Sequence, residues 1–204
     1  ELAVDSSGKV EPEKLREVLR PETSLISVMT ANNETGNLQP VEEISKIAQE
    51  NKIPFHTDLV QALGKMQLDL SLSGVNFASA TAHKLGGPCG IGLLYVKQGT
   101  AFESLISGGK QERVRRAGTE NMVLAVGFAK AVEWYLENQL SLRDRFSKFR
   151  DLILNQINKI KGIFLNTDLE NSMPHTLNFG CNKVSGESLL ISLDLDGIAV
   201  STGS

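Results

Sequence analysis

Three short polar runs hold the side chains with the most chemical promise. The first is Ser79-Ala80-Thr81-Ala82-His83-Lys84-Leu85-Gly86-Gly87-Pro88, where an apolar segment ends in small and hydroxylated residues, then His-Lys, then a glycine-rich turn. A lysine at the carboxyl end of a strand can be desolvated and its pKa lowered, which a Schiff-base amine needs. Thr81 and His83 can donate to a phosphate there, although a lysine beside a loop is also commonly just solvated. The second run is Phe55-His56-Thr57-Asp58-Leu59-Val60-Gln61. A carboxylate at that strand end can pair with a protonated ring nitrogen and keep a heteroaromatic ring an electron sink. Gln61 can donate to an oxygen of the same ring; Asp58 alone would equally serve as a helix N-cap. The third run, Ala31-Asn32-Asn33-Glu34-Thr35-Gly36, offers an asparagine amide for a carboxylate or a ring oxygen, or simply builds a turn.

The surrounding pattern supplies strands that would aim these groups. Leu25 to Met29, Ile53 to Thr57, Val75 to Ala80 and Gly90 to Val96 are predicted strands, and the helices Pro12 to Leu19 and Val41 to about Asn51 flank the first of them. Strand, helix, strand with continuous apolar runs predicts an α/β layer with a mostly parallel sheet, in which ligands sit at the carboxyl ends of strands. Beyond it, helices are expected from Glu120 to Asn138, burying Val123, Val126, Ala129, Ala131, Val132 and Leu136, and from Ser141 to Lys161. Strands at Gly162 to Asn166, His175 to Phe179 and Ile198 to Thr202, with a helix at Gly186 to Leu193, read as the start of a smaller α+β domain. The expected division is 1–139 and 140–204, each a partial domain.

Composition narrows the function classes. The 204 residues are 41% hydrophobic and 22% charged, with a formal net charge of −3, which argues against a nucleic-acid-binding surface spread over the whole protein. Cys89 and Cys181 lack metal-ligand or disulfide-scaffold spacing, so no metal is expected and both read as ordinary small apolar residues. No apolar run approaches the roughly 20 residues that span a bilayer. The expected setting is cytoplasmic or organellar, with no membrane partner. Glu1 opens without a methionine and Ser204 follows directly on an apolar run, so a partial chain is expected.

Taken together, Asn32 to Gly36, His56 to Gln61 and His83-Lys84 with Gly86-Gly87-Pro88 resemble the class V aminotransferase family, and within it the cysteine desulfurases of the NifS/IscS type. Gly108 to Arg113, Arg116 to Asn121, Gly186 to Leu189 and Val200 to Ser204 agree in order and spacing. The resemblance implies the fold type I of pyridoxal-phosphate-dependent transferases and pyridoxal 5'-phosphate as cofactor. It implies Lys84 as the catalytic Schiff-base lysine, Asp58 against the pyridinium nitrogen and Gln61 against the ring hydroxyl. Thr81, His83 and the backbone of Ala82 would bind the phosphate, and Thr119 would reach the phosphate of the other subunit of a homodimer. Asn33 would lie near cofactor and substrate carboxylate. L-cysteine would be the substrate, with alanine and an enzyme persulfide as products. A sulfur-acceptor or iron–sulfur scaffold protein would be the partner.

The persulfide-forming cysteine of that family would fall about two residues after Ser204. Cys89 stands where lysine is common, and Leu59 replaces a usual alanine. A selenocysteine lyase, another class V enzyme and a non-catalytic scaffold remain open alternatives at this level. His56 and His175 read as structural histidines, Trp134 and Tyr135 as core or interface packing. Arg113, Arg115 and Arg116 form a basic run that is a solvated face or, beside Thr119, an attraction for phosphate.

Overall fold

The structure is a computed structural model describing residues 1–71 and 74–203; Ser204, part of the last resembling stretch, lies outside the described residues. In chain order the elements are α1 (Pro12–Val18), β1 (Ile26–Ser27), α2 (Val41–Glu50), β2 (Phe55–Asp58), β3 (Phe77–Thr81), a 3-10 turn (His83–Leu85), β4 (Gly92–Val96), α3 (Gln111–Val114), α4 (Met122–Ile157), β5 (Ile163–Leu165), β6 (Phe179–Cys181) and α5 (Gly186–Leu195). The described residues form two compact units. One comprises Leu19–Met29 and Val41–Gln139; the other comprises Glu1–Val18, Thr30–Pro40 and the segment from Leu140 onward. The N-terminal segment and residues 30–40 group with the later part of the chain.

The first unit holds a four-stranded sheet in the order β1-β2-β3-β4. β1, β2 and β3 are parallel, and β4 returns antiparallel to β3. The reversal has a simple cause: only residues 82–91 separate β3 from β4, fewer than a parallel crossover needs. α2 follows Pro40 as expected and buries Ile44, Ile47 and Ala48 at helical spacing. Phe55, Leu59 and Val75 are fully buried around the sheet.

α4 corrects the expectation of two helices: it runs unbroken for 36 residues, with Met122–Gln139 in the first unit and the remainder in the second. Residues 138–142 contain neither proline nor glycine, and the Asn138 amide bonds back to the Trp134 carbonyl at 2.8 Å instead of ending the helix. The buried face matches the predicted one only in part: of the residues expected there, Ala131 and Val132 are half-buried. Phe128 is buried, whereas Val123 is 81% exposed and Val126 and Leu136 are exposed. The face carrying Gly127, Ala131 and Tyr135 packs instead on the loops of the same unit. A Cβ on Gly127 would meet the Pro88 ring at 3.1 Å, and one on Gly87 would meet the Ala131 Cβ at 3.1 Å.

The second unit is organised by buried polar groups. Asn37 is fully buried; its amide nitrogen donates to the carbonyls of Ser7 and Asn166, and its oxygen accepts the Asp168 N–H at 2.8 Å. Thr167 donates to the Thr35 carbonyl at 2.8 Å and accepts the Asn178 N–H at 2.7 Å. This binding of Asn178 explains a second correction: the predicted strand at His175 to Phe179 is displaced to Phe179–Cys181, where it pairs antiparallel with β5. Ile198 to Thr202 carries no strand; no ladder partner among the described residues lies beside it, and Ile198 and Val200 are exposed.

Two glycines in left-handed backbone test the α4 packing. Gly64 (φ +72°) would place a Cβ 2.8 Å from the Tyr135 Cβ, which is fixed to the helix, while Gly86 (φ +67°) faces open space. Gly64→Ala is expected to cost about 2–4 kcal/mol of unfolding free energy, through left-handed strain and overpacking together. Gly86→Ala should cost only about 1–2 kcal/mol. Denaturant midpoints measure both; equal losses would contradict the packing of α4 on this loop.

Candidate active site at the ends of two parallel strands

The register of β2 with β3 pairs His56 with Phe77, Thr57 with Ala78 and Asp58 with Ser79. The Leu59 N–H extends the pairing onto the Ser79 carbonyl at 2.8 Å. Neighbouring strands lie about 4.8 Å apart, so Asp58 and the segment Thr81 to Lys84 emerge side by side at one edge. Asp58, Gln61, Thr81, Ala82, His83, Lys84 and Thr119 all belong to the first unit.

Asp58 is half-buried and does two things at once. Its Oδ1 accepts the Val60 N–H at 2.7 Å, capping the turn formed by residues 60–65, as its alternative N-cap role anticipated. Its second carboxylate oxygen is not needed for that cap. Gln61 sits on the turn so capped, and its Oε1 accepts from the Lys65 ammonium at 3.2 Å. Lys65 is a site residue that sequence reasoning missed, although a Gln-x-x-x-Lys spacing on a capped turn is the signal that would have found it. Burial, and secondarily the charge of Lys84, push its pKa down from 10.5 to about 8, which puts the two lysines within electrostatic reach of each other.

Beyond β3 the chain folds into the 3-10 turn His83–Leu85, closed by Gly86 in left-handed conformation. Lys84 and His83 are exposed on this turn. The Thr81 hydroxyl shares a 2.9 Å hydrogen bond with Nδ1 of His83 and donates to the Ile91 carbonyl at 3.2 Å. Ala82 is fully buried. Its N–H donates to Ile91 at 3.3 Å and its carbonyl accepts from Leu85 and Gly87, so its backbone holds the turn in shape. Gly87 has no room for a side chain, since a Cβ would lie 3.0 Å from the Ala82 carbonyl oxygen.

Thr119 is exposed and follows Gly118, whose N–H donates to Oε1 of Gln111 at 3.2 Å. The preceding α3 is unusual: Glu112, Arg113 and Val114 have φ of 48°, 56° and 66°, a left-handed excursion costing about 1–2 kcal/mol per residue. Asn33 belongs to the second unit. It is exposed and donates to the Glu34 carboxylate at 2.7 Å, while Asn32 caps the turn by accepting the Glu34 and Thr35 N–H groups at 2.8 and 2.9 Å. Cys89 is exposed and Cys181 is intermediate. The expectation that both are small apolar residues in buried segments therefore fails for Cys89, because Gly87 to Gly90 is a surface reversal between antiparallel strands.

His56 behaves as the sequence anticipated. It is half-buried, with Nδ1 bonded to the Ser27 hydroxyl at 2.8 Å and Nε2 to the Ser79 hydroxyl at 3.1 Å, so it ties β1, β2 and β3 together beneath Asp58. Trp134 is half-exposed and stacks edge-to-face on Tyr135 at 5.2 Å.

The donor set comprises a carboxylate, an amide, a hydroxyl, an imidazole and a primary amine on two adjacent strand ends. That chemistry fits a phosphorylated pyridine aldehyde: anion donors and an amine at and beyond the end of β3, and a carboxylate for a ring nitrogen at the end of β2. The comparisons with known proteins agree. Residues 1–204 match the family model Aminotransferase class-V, and the chain belongs to that family. It is 44% identical to the cysteine desulfurase IscS of Dictyoglomus turgidum, covering 100% of this chain and 52% of that protein. It is 40% identical to the cysteine desulfurase NifS of Azotobacter vinelandii, over 100% of this chain and 51% of that one. The chain thus spans about half the length of the curated relatives it matches. Among solved structures, a NifS-like protein superposes with a TM-score of 0.92 at 38% identity, over 98% of this chain and 55% of that one. The NifS-like protein of Rickettsia africae gives 0.92 at 30%, over 100% and 57%. The fold is that of the pyridoxal-phosphate-dependent transferases of fold type I, and class V enzymes of this kind use pyridoxal 5'-phosphate.

Burial holds the His56 pKa below its ordinary 6.5, with Asp58 opposing that shift. A histidine that resists protonation when folded stabilises the fold above its unfolded pKa, and that contribution is lost as pH falls through 6.5 toward the folded value. Unfolding free energy measured across this window should therefore fall with acidification, and His56→Gln should flatten that part of the curve. An unchanged slope in the variant would contradict the buried, neutral imidazole.

Proposed function

We propose that the protein carrying this chain is a pyridoxal-phosphate-dependent cysteine desulfurase, and that this chain supplies the lysine, the pyridinium partner and part of the phosphate site. The observation that carries the proposal is the convergence of Asp58, Gln61, Thr81, His83 and Lys84 on the ends of β2 and β3 within one unit. The names of relatives at 40–44% identity support it. The cofactor, when bound, supplies an electron sink for charge developing at a substrate α-carbon. Lys84 anchors it through its amine and moves the proton at that carbon. The free carboxylate oxygen of Asp58 keeps the ring nitrogen protonated, and its other oxygen stays on Val60, so the charge is held in one orientation. Gln61 donates to the ring oxygen. Thr81 and His83 donate to the phosphate, with Thr119 serving the other subunit. Asn33 serves the substrate carboxylate.

The substrate is L-cysteine. A cysteine thiolate expected past residue 204 takes the substrate sulfur as its C–S bond breaks, giving alanine and a persulfide, so atoms and electrons balance without a further reactant. The persulfide then passes to an acceptor or iron–sulfur scaffold protein. A homodimer is supported by the exposed apolar side chains of the first unit, Val123, Val126 and Trp134 on α4 among them. Among the described residues no helix is long and apolar enough to cross a membrane.

Two measurements test this. Borohydride reduction of the yellow, full-length protein should fix the cofactor on the peptide containing Lys84; fixation on Lys65, whose lowered pKa makes it the strongest rival, would overturn the assignment. Asp58→Asn keeps an oxygen for Val60, so the fold should survive, yet losing the charge from an ion pair worth about 3–5 kcal/mol should slow alanine release by roughly 10²–10⁴-fold. Near-normal turnover would reduce Asp58 to a turn cap.

A further inference from the structure

We propose that Lys65 is a positioning residue of this site: its ammonium takes the side-chain oxygen of Gln61 and thereby commits the amide N–H₂ of Gln61 to the cofactor. The inference rests on the reading of Gln61 as the partner of the ring oxygen.

A glutamine amide has two ends of nearly equal shape, one a donor and one an acceptor, and its neighbours decide which faces which way. To donate to a ring oxygen, Gln61 must present nitrogen. A lysine ammonium has three donors and no acceptor, so the atom it engages must be Oε1, and the 3.2 Å bond is to that atom. The nitrogen is left on the other branch of the planar group. Asparagine or threonine in place of Lys65 would offer an acceptor as well and impose no such order.

The geometry that delivers the ammonium is constrained at both ends. Asp58 caps the turn through Val60, and within it Ala62 and Leu63 donate to Leu59 and Met66 donates to Ala62, which brings residues four apart onto one side. Gly64, the residue before Lys65, is left-handed, packed against Tyr135 and bonded through its carbonyl to the Gln139 amide at 2.9 Å. Seating a half-buried cation near Lys84 is unfavourable, as the fall of Lys65 to about 8 records. A lysine free to reach water would not stay there; the bond to Gln61 is what this position gains.

The test is a double-mutant cycle in protein of the relatives' full length, reading cofactor dissociation by visible absorbance. Lys65→Met and Gln61→Leu should each weaken cofactor binding by about tenfold, and the double variant should be no weaker than the weaker single variant, because one hydrogen bond is lost in all three. Lys65→Arg, still a pure donor, should recover binding to within about threefold. Independent losses reaching about a hundredfold in the double variant, or an unaltered constant in Lys65→Met, would overturn the proposal. A second arm uses cofactor-free protein: acetylation of Lys65 followed by mass spectrometry should show that Gln61→Leu makes the amine react at lower pH, since the ammonium loses its acceptor. An unchanged profile would overturn the Lys65–Gln61 link alone. Wild-type protein that takes up no cofactor would instead overturn the functional reading.

Discussion

Everything proposed for this chain depends on the parallel register of β2 against β3, closed at its last step by the Leu59 N–H on the Ser79 carbonyl. Side chains alternate faces along a strand, and pairing Asp58 with Ser79 puts Asp58 and Thr81 on one face; a slip of one residue would put them on opposite faces of the sheet. The register is held from both directions. Phe55, Thr57 and Leu59 are buried at alternate positions of β2, and His56 between them bonds Ser27 on one neighbour and Ser79 on the other. A half-buried histidine with both nitrogens engaged tolerates few arrangements of its partners, so it favours the rungs that oppose each other here.

The turns that follow the two strands are shaped by closeness to α4. Gly64 and Gly87 accept no side chain where Tyr135 and Ala131 approach, and Gly127 makes the same allowance for Pro88. The small residues on both sides serve a single purpose: they let a helix lie directly on the loops bearing Gln61, Lys65 and Lys84. Those loops are consequently braced by a regular element. Val123, a turn before Gly127, and Val126 stay in water, beyond the stretch of the helix that the loops cover.

Much of this was legible in the residues. The β2 and β3 strands, α2 and the placement of Asp58 and Lys84 at strand ends follow from apolar runs ending in polar and glycine residues. What escaped has physical reasons. The helix was expected to end at Asn138, but the Asn138 amide found an acceptor within the helix. Valines were expected on the buried face beside Ala131, whereas close packing on backbone selects small residues, so Gly127 was missed and Val123 stays exposed. Cys89 looked apolar by type, yet its neighbours are turn formers. Lys65 was overlooked because a lysine four residues from a glutamine is ordinary until the capped turn is seen to bury it.

The second unit is assembled from three stretches, residues 1–18, 30–40 and those from 140 onward, with the first unit threaded between them. On a ribosome this imposes an order. Residues 41–139 carry nearly all of the sheet and emerge as a continuous piece able to collapse on itself, while the opening residues wait. The Asn37 amide can reach the Ser7 carbonyl at once, but its bonds to Asn166 and Asp168 wait until those residues have been made, and at about 5–20 residues per second that delay lasts many seconds. Throughout it, a segment built to be buried stays in solvent with its hydrogen bonds on water. A stall in translation shortly after residue 139 would therefore leave residues 41–139 free to pair their strands while residues 1–18 and 30–40 still lack the segment from Leu140 onward with which they group.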